Sequence, residues 1–256
     1  MRSPILIGYA TMLREHAHRI VRIWAQTLLP PVVTTTLYYV IFGAFIGSQI
    51  SGIAGFSYMQ YIVPGLVMMT IITSSYMHTV SAFFLAKFQR NVEELLVSPM
   101  PSWVVVGGYV SGGVLRGLLV GVLVLAVSLF FTHLALYNVF IIFAAAILTS
   151  VLFALAGLVN GMFAKSFDAM SIIPTFVLTP LTYLGGVFYS IEQLPPFWQQ
   201  VSLLNPILYM VNAFRYGFLG VSDVPLGMSF LVMGGFILAL LGATLWFFKV
   251  GKGLKN

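Results

Sequence analysis

KFQRNVEELLVSP, residues 87–99, decides how this chain is read. It carries Lys87, Arg90, Glu93 and Glu94 within eight positions, and it lies between two long apolar runs. The whole 256-residue chain holds only 12 basic and 6 acidic side chains. Hydrophobic residues make up 60% of the sequence and charged ones 7%, where soluble domains sit near 45–50% and about 25%. So few charges cannot clothe a water-exposed surface, so lipid must cover most of it. The stretch is therefore a polar break between membrane crossings. Arg90 stands three and four residues before Glu93 and Glu94, a spacing that pairs side chains along a short helix. Leu95, Leu96 and Val97 lead back toward the membrane, and Pro99 and Pro101 stop the helix. The expectation is a docking helix over 87–98 rather than an ordinary solvated loop.

Outward from this break, a crossing needs roughly 20 apolar residues, and six runs qualify: Ile23–Ile46, Tyr58–Leu85, one ending at Phe131, Tyr137–Phe163, Ala169–Tyr189 and Leu226–Phe248. The third is awkward, because it extends back to Trp103 through Gly107-Gly108 and Gly112-Gly113 and contains Arg116. A crossing from about Gly112 lets Arg116 snorkel to the nearer interface and leaves 103–111 partly interfacial. Arg2, Arg14, Arg19, Arg22, Lys87, Arg90, Lys165, Lys249, Lys252 and Lys255 gather on one side of this topology, and Arg215 alone on the other. That bias sets both termini in the cytoplasm, which six spans satisfy.

The ends of the topology carry two unusual segments. Over 1–22, Tyr9, Met12, Leu13 and Ile20, continuing to Trp24, recur at helical spacing, while Arg14, His18 and Arg22 share another face and Glu15 can pair with Arg19. This predicts an amphipathic helix lying in the inner interface, not a secretory signal, since the run Ile5–Ala10 is short and lacks a cleavage pattern. Over 190–225, Pro195-Pro196 bars a continuing helix. Phe197–Leu204 and Ile207–Leu219, split by Asn205-Pro206, are each too short to cross, which predicts an outer segment that dips in and returns. Tyr209, Asn212, Arg215 and Tyr216 form its one polar seam, which should face protein or water. Glu192 and Asp223 are both open as partners for Arg215.

Catalytic constellations are absent from the sequence pattern. Among the four histidines only His78 falls in a span, with no second histidine one turn away, and reads as hydrogen-bonded between helices. GYVSG at Gly108–Gly112 lacks the spacing of a serine-nucleophile turn and reads as small residues that let helices approach. The acids Glu15, Glu93, Glu94, Asp168, Glu192 and Asp223 all fall in loops or at interfaces, so no carboxylate relay for ion coupling is evident. The terminal Gly251-Lys252-Gly253 is not a phosphate-binding loop. Cysteine is absent. If the chain moves solute uphill, another chain must supply the energy.

The residues KFQRNVEELLVSPMP (87–101), Pro64–Leu66 and PLTYLGGVFYSIEQLPPFWQQVSLLNPILYMVNAFRYGFLG (180–220) resemble the permease subunit of ABC-2 type transporters, a likeness that runs along nearly the whole chain. The resemblance implies an all-α fold of six spans, a homodimer, and two copies of a separate ATPase subunit that binds ATP and magnesium. It implies no cofactor in this chain, lipid as its surroundings, and no nucleic-acid partner. It assigns ATPase contact to Phe88, Gln89, Arg90, Asn91, Glu93, Glu94 and Leu95. It places Glu192, Pro195, Pro196, Trp198, Asn205, Pro206, Tyr209, Asn212 and Arg215 in an outer re-entrant gate. Pro174, Pro180, Gly185 and Gly186 in and after span five are candidate flex points or fixed kinks. The path would run between protomers near spans one, two and five of a bacterial inner membrane, exporting an amphipathic, lipid-linked, glycan or drug-like substrate. An ion-coupled secondary transporter or channel is the alternative and would need a mid-membrane ion site.

Overall fold

The computed structural model describes residues 4–47 and 52–254. Arg2 and Lys255, counted above for orientation, and residues 48–51 lie outside the described residues.

Helix α4, Tyr58–Phe88, is the shaft of the molecule. Ser57 starts it with a capping box: the Ser57 side chain accepts from the Gln60 amide at 3.3 Å and the Gln60 side chain accepts from the Ser57 amide at 3.0 Å. Tyr61, Ile62, Met68, Ile72, Val80 and Phe83 along it are almost wholly buried. Helices α6 (Ser102–Ser128) and α7 (Val139–Phe163) flank it. Both come close because they present glycine. A Cβ on Gly117 would strike the Ser75 hydroxyl, and one on Gly157 would strike the Tyr76 carbonyl.

Among the described residues, five helical stretches are long and apolar enough to cross a membrane: α4, α6, α7, Phe167–Leu184 and α12 (Leu226–Val250). They differ in burial: 78% of the most apolar part of α4 is buried, against 11% for α12, so α12 is a rim helix. The expected first span, 23–46, is helical but segmented into α2 (Trp24–Thr27), α3 (Leu29–Tyr38) and a π-helical turn, Tyr39–Ile46. Pro30 and Pro31 lack the amides that would bond back across the break at Leu28.

The third crossing is one unbroken helix from Ser102, which includes residues 103–111. Arg116 lies 14 positions into the helix, about 21 Å along it. Its Nη2 donates to the Thr27 carbonyl at 3.1 Å, while its buried Nε has no partner.

The amphipathic helix α1, Pro4–Arg22, forms as expected, with Met12, His16 and Ile20 buried and Arg14, His18 and Arg22 exposed. It packs parallel to the first half of α6. Gly8 abuts Met100, the Tyr9 hydroxyl bonds Ser111 at 2.6 Å, Met12 fits against Gly108, and His16 fits against Gly112.

After α7 the chain makes α8 (Phe167–Ile173), which starts beside Phe88, a π-helical turn Pro174–Leu178, and α9 (Thr179–Leu184). A 3₁₀ turn Ile191–Gln193, α10 (Pro196–Leu203) and α11 (Pro206–Leu219) follow. The two short helices are split at Asn205-Pro206 as the prolines require. Asn205 caps α11 by accepting from the Ile207 amide at 3.0 Å and ties back by donating to the Leu181 carbonyl at 2.6 Å.

Candidate functional site

Two polar clusters occupy opposite ends of α4. At its C-terminal end the expected 87–98 helix is divided. Lys87 and Phe88 close α4, Gln89 turns, and Arg90 takes a left-handed backbone (φ 63°) before α5, Asn91–Val97. Lys87 is buried and does not belong to the charged face. Its Nζ donates to the carbonyls of Met162 at 2.7 Å, Ala164 at 3.1 Å and Gly253 at 3.5 Å. It thereby caps the C-terminus of α7 with a cation, where the helix dipole favours one. The expected pairs do not form either: among the described residues no carboxylate lies within 4 Å of a basic group, so Arg90 does not hold Glu93 or Glu94, nor Glu15 Arg19.

What seats α5 is apolar. Val92 is buried and Leu95 half-buried, and both sit beside Phe83, Met100, Val105 and Phe248. Val97 is 87% exposed. Gln89, Arg90, Asn91, Glu93 and Glu94 are exposed as well. Phe88 is largely exposed, with its ring edge-on to Phe167 at 5.5 Å. Leu95 therefore faces its own bundle, and the bare face of α5 is acidic, with Val97 beside it. A cavity of about 440 Å³ separates α5 from α1, with Glu15, Arg19, Gln89, Asn91 and Glu94 on its walls.

Beneath that cavity lies a contact the sequence did not reveal. His78 Nε2 of α4 meets His16 Nδ1 of α1 at 3.4 Å, and the His16 ring stands edge-on to Tyr109 of α6 at 5.2 Å. Burial first, and the nearby Arg19 second, hold the His16 imidazole down at about 4. His78 is the interhelical histidine expected, but its partner is 62 residues away in sequence and invisible to spacing.

At the N-terminal end of α4, Arg215 of α11 is fully buried. Neither Glu192 nor Asp223 pairs with it directly. Its Nε donates to the Tyr61 carbonyl at 3.2 Å, Nη1 bonds the Tyr61 hydroxyl at 3.0 Å, and Nη2 donates to the carbonyls of Gly186 at 2.6 Å and Val187 at 3.4 Å. The guanidinium carbon also sits 3.9 Å over the Tyr61 ring. Asp223 joins from the other side: it accepts from the Tyr61 hydroxyl at 3.4 Å, the Ser190 hydroxyl at 2.8 Å and the Ile191 amide at 3.1 Å. Asn212 accepts from the Asp223 amide at 2.9 Å, and the Tyr209 hydroxyl donates to the Leu203 carbonyl at 2.8 Å. The predicted seam of α11 thus faces protein, except Tyr216, which is half-buried against Tyr137. Glu192 and Trp198 are exposed, and Pro195 and Pro196 open α10.

Tyr61 was missed, since a tyrosine inside an apolar span looks like packing. The proximity of Pro64-Gly65 was a signal in principle. A Cβ on Gly65 would lie 2.7 Å from the Val187 carbonyl oxygen, so only glycine lets α4 approach that turn. Of the flex candidates, Pro174 opens the π-helical turn, whose widened ring the Thr179 amide closes on the Pro174 carbonyl, with the Thr179 hydroxyl donating to the same oxygen at 3.0 Å. Pro180 lies in the first turn of α9, Gly185 follows it, and Gly186 takes φ +70° and offers its carbonyl to Arg215. The arrangement supplies surfaces and rigid links rather than reacting groups: Glu93 and Glu94 are solvent-facing, and Asp223 is occupied by three hydrogen bonds.

A family model described as ABC-2 type transporter matches residues 8–219. Over 250 residues, 98% of each chain, the sequence is 58% identical to the inner membrane transport permease YadH of Escherichia coli K12. It is 26% identical over 198 residues to nodulation protein J of Rhizobium leguminosarum bv. viciae, covering 76% of this chain and 75% of that protein. To nodulation protein J of Neorhizobium galegae it is 23% identical over 231 residues, 89% and 88% of the two chains.

Proposed function

The chain belongs to the ABC-2 type transporter family, and on that premise we propose that it is the inner-membrane subunit through which a separate ATPase drives export. The observation that carries this reading is α5. A short helix is seated on the end of the most buried crossing by Val92 and Leu95, while Glu93, Glu94 and Val97 stay bare. Such a face stays uncovered among the described residues and suits a basic groove with an apolar pocket on a motor subunit. Phe88, Gln89, Arg90 and Asn91 would border that contact. ATP and magnesium belong to the motor.

In this reading α5 and both termini lie in the cytoplasm, and residues 190–225 form the outer segment. ATP draws two motor subunits together, each carries its α5, and the shaft follows, changing the interface between two copies of this chain. Spans one and five line that interface. Tyr38 and Tyr183 touch through their hydroxyls at 3.3 Å, and Val33, Leu37, Phe45 and Phe176 are exposed. The aromatic group Tyr38, Phe42, Tyr183 and Phe188 suits an amphipathic, lipid-linked, glycan or drug-like cargo.

The test is charge reversal at Glu93→Lys with Glu94→Lys. Both residues are exposed without partners, so the fold should survive. Losing a charge contact at an interface costs about 2–5 kcal/mol, enough to abolish co-purification of the ATPase. Motor binding equal to wild type would refute the assignment. Substrate-stimulated ATP hydrolysis by the reconstituted pair would identify the cargo.

A further inference from the structure

The polar cluster at the outer end of α4 is more than a buried charge made tolerable. Arg215 is embedded among apolar helices without a carboxylate partner. Its charge is met by three main-chain carbonyls and a phenol. The two solutions differ mechanically. Coulomb attraction between full charges falls slowly with distance and tolerates sliding. Hydrogen bonds to fixed carbonyls weaken steeply with misalignment. A helix held by the second kind cannot shift by an ångström or two without either dragging its partner or breaking the set.

Tyr61 is where α4 enters this set, and it does so three ways: its carbonyl takes Nε, its hydroxyl meets Nη1, and its ring lies under the guanidinium. The same hydroxyl donates to Asp223, which in turn fixes Ser190 and Ile191 at the start of the outer segment. One phenolic oxygen therefore touches both the arginine that holds α11 and the acid that closes the 190–223 loop. Between Tyr61 and Lys87 the shaft is one continuous helix, about 39 Å long, with α5 at its other end.

We infer that Tyr61 is the positioning residue that delivers displacement of α4 to the outer segment, acting through the Arg215–Tyr61–Asp223 hydrogen-bond set. This rests on the export reading above. Arg215 anchors the transmitted motion and Asp223 converts it into movement of residues 190–193. The ring and carbonyl of Tyr61 hold α4 to α11, and its hydroxyl joins that pair to the Asp223 carboxylate, while Asn212 of α11 separately holds the Asp223 amide.

The chain has no native cysteine, which permits a clean reporter. Ile191 is buried in the outer turn, so Ile191→Cys reports its opening through the rate of modification by a membrane-impermeant maleimide. The full chain with its ATPase subunit in lipid nanodiscs leaves both faces reachable. In the reporter background, ATP should accelerate labelling severalfold. Adding Tyr61→Phe, which removes only the hydroxyl, should leave motor association and basal ATP hydrolysis intact and cut the ATP dependence of labelling severalfold, whether the basal rate is slow or fast. Tyr58→Phe removes a hydroxyl one turn away that donates to the Phe188 carbonyl at 3.2 Å, and should keep the ATP response. An undiminished ATP response in Tyr61→Phe, or its equal loss in Tyr58→Phe, overturns the inference alone. Failure of the unmutated reporter chain to bind the ATPase overturns the export reading and the inference with it.

Discussion

Lys87→Met should destabilise the protein even though the position borders its most polar stretch. The methionine keeps the apolar stem and removes the ammonium, leaving the carbonyls of Met162, Ala164 and Gly253 without their donor. A hydrogen bond from a charged group contributes about 1.5–3 kcal/mol. Only two of these three are short, and water can reach this end of the bundle once the ammonium is gone. A net loss of about 2–3 kcal/mol follows, including the lost cation at the C-terminus of α7. For a chain of this size about 1 kcal/mol moves the unfolding midpoint by roughly 2–4 °C, so a fall of about 4–12 °C is expected in detergent, read by tryptophan fluorescence. Lys87→Arg should recover much of it. A midpoint for Lys87→Met equal to wild type would show that the ammonium is merely adjacent to those carbonyls, and the surface reading of Lys87 would return.

Three further outcomes are expected. Gly65→Ala places a Cβ 2.7 Å from the Val187 carbonyl oxygen and should cost about 1–3 kcal/mol, with the unfolding midpoint of purified protein as the check; an unchanged midpoint would mean the turn yields freely. The His16 imidazole is held at about 4, so the folded state resists a proton that the unfolded state accepts from about 6.5. The stability it confers is present above pH 6.5 and is lost as pH falls toward 4, up to about 3 kcal/mol. His78, Tyr109, Arg19 and Glu15 surround it, and Arg116 stands near His78. The acid loss should flatten in His16→Phe when midpoints are compared between pH 7 and 4.5, and a parallel decline in both proteins would count against it. Finally, Val92→Asp should unseat α5 and speed proteolysis near residue 90, whereas Val97→Asp should leave proteolysis unchanged and weaken ATPase binding. The reverse pattern would invert the assigned faces.

Most of the fold was legible because membrane crossings are written in length and polarity. Asn205-Pro206 and Pro195-Pro196 placed the breaks of α10 and α11 to within a residue, since proline acts locally. The segmentation of the first span was equally local, yet it was read through, because the apolar count hid Pro30-Pro31. The partners of the polar groups were not legible. Lys87 and Arg90 are three positions apart, and nothing in their spacing says that one is buried under three carbonyls while the other turns left-handed into solvent. The same holds for His16 with His78 and for Arg215 with Tyr61. Each pair is set by how α1, α4 and α11 cross, which is a property of the assembled bundle. Helical spacing correctly put Arg215 on a seam, but the nearest acids in sequence were the wrong place to look for its contacts.

The uneven sheathing of the crossings has a mechanical corollary. A rod gripped along its whole length cannot slide within its own sleeve, so α4, α6, α7 and α11 must travel as one rigid block. Compliance is left to the thinly packed margins, where the two widened helical coils at Tyr39–Ile46 and Pro174–Leu178 sit. A widened coil can lose or gain a residue from its turn at small cost, which shortens or lengthens the strut that contains it. Each subunit would thus behave as a stiff piston with two springs along its flank.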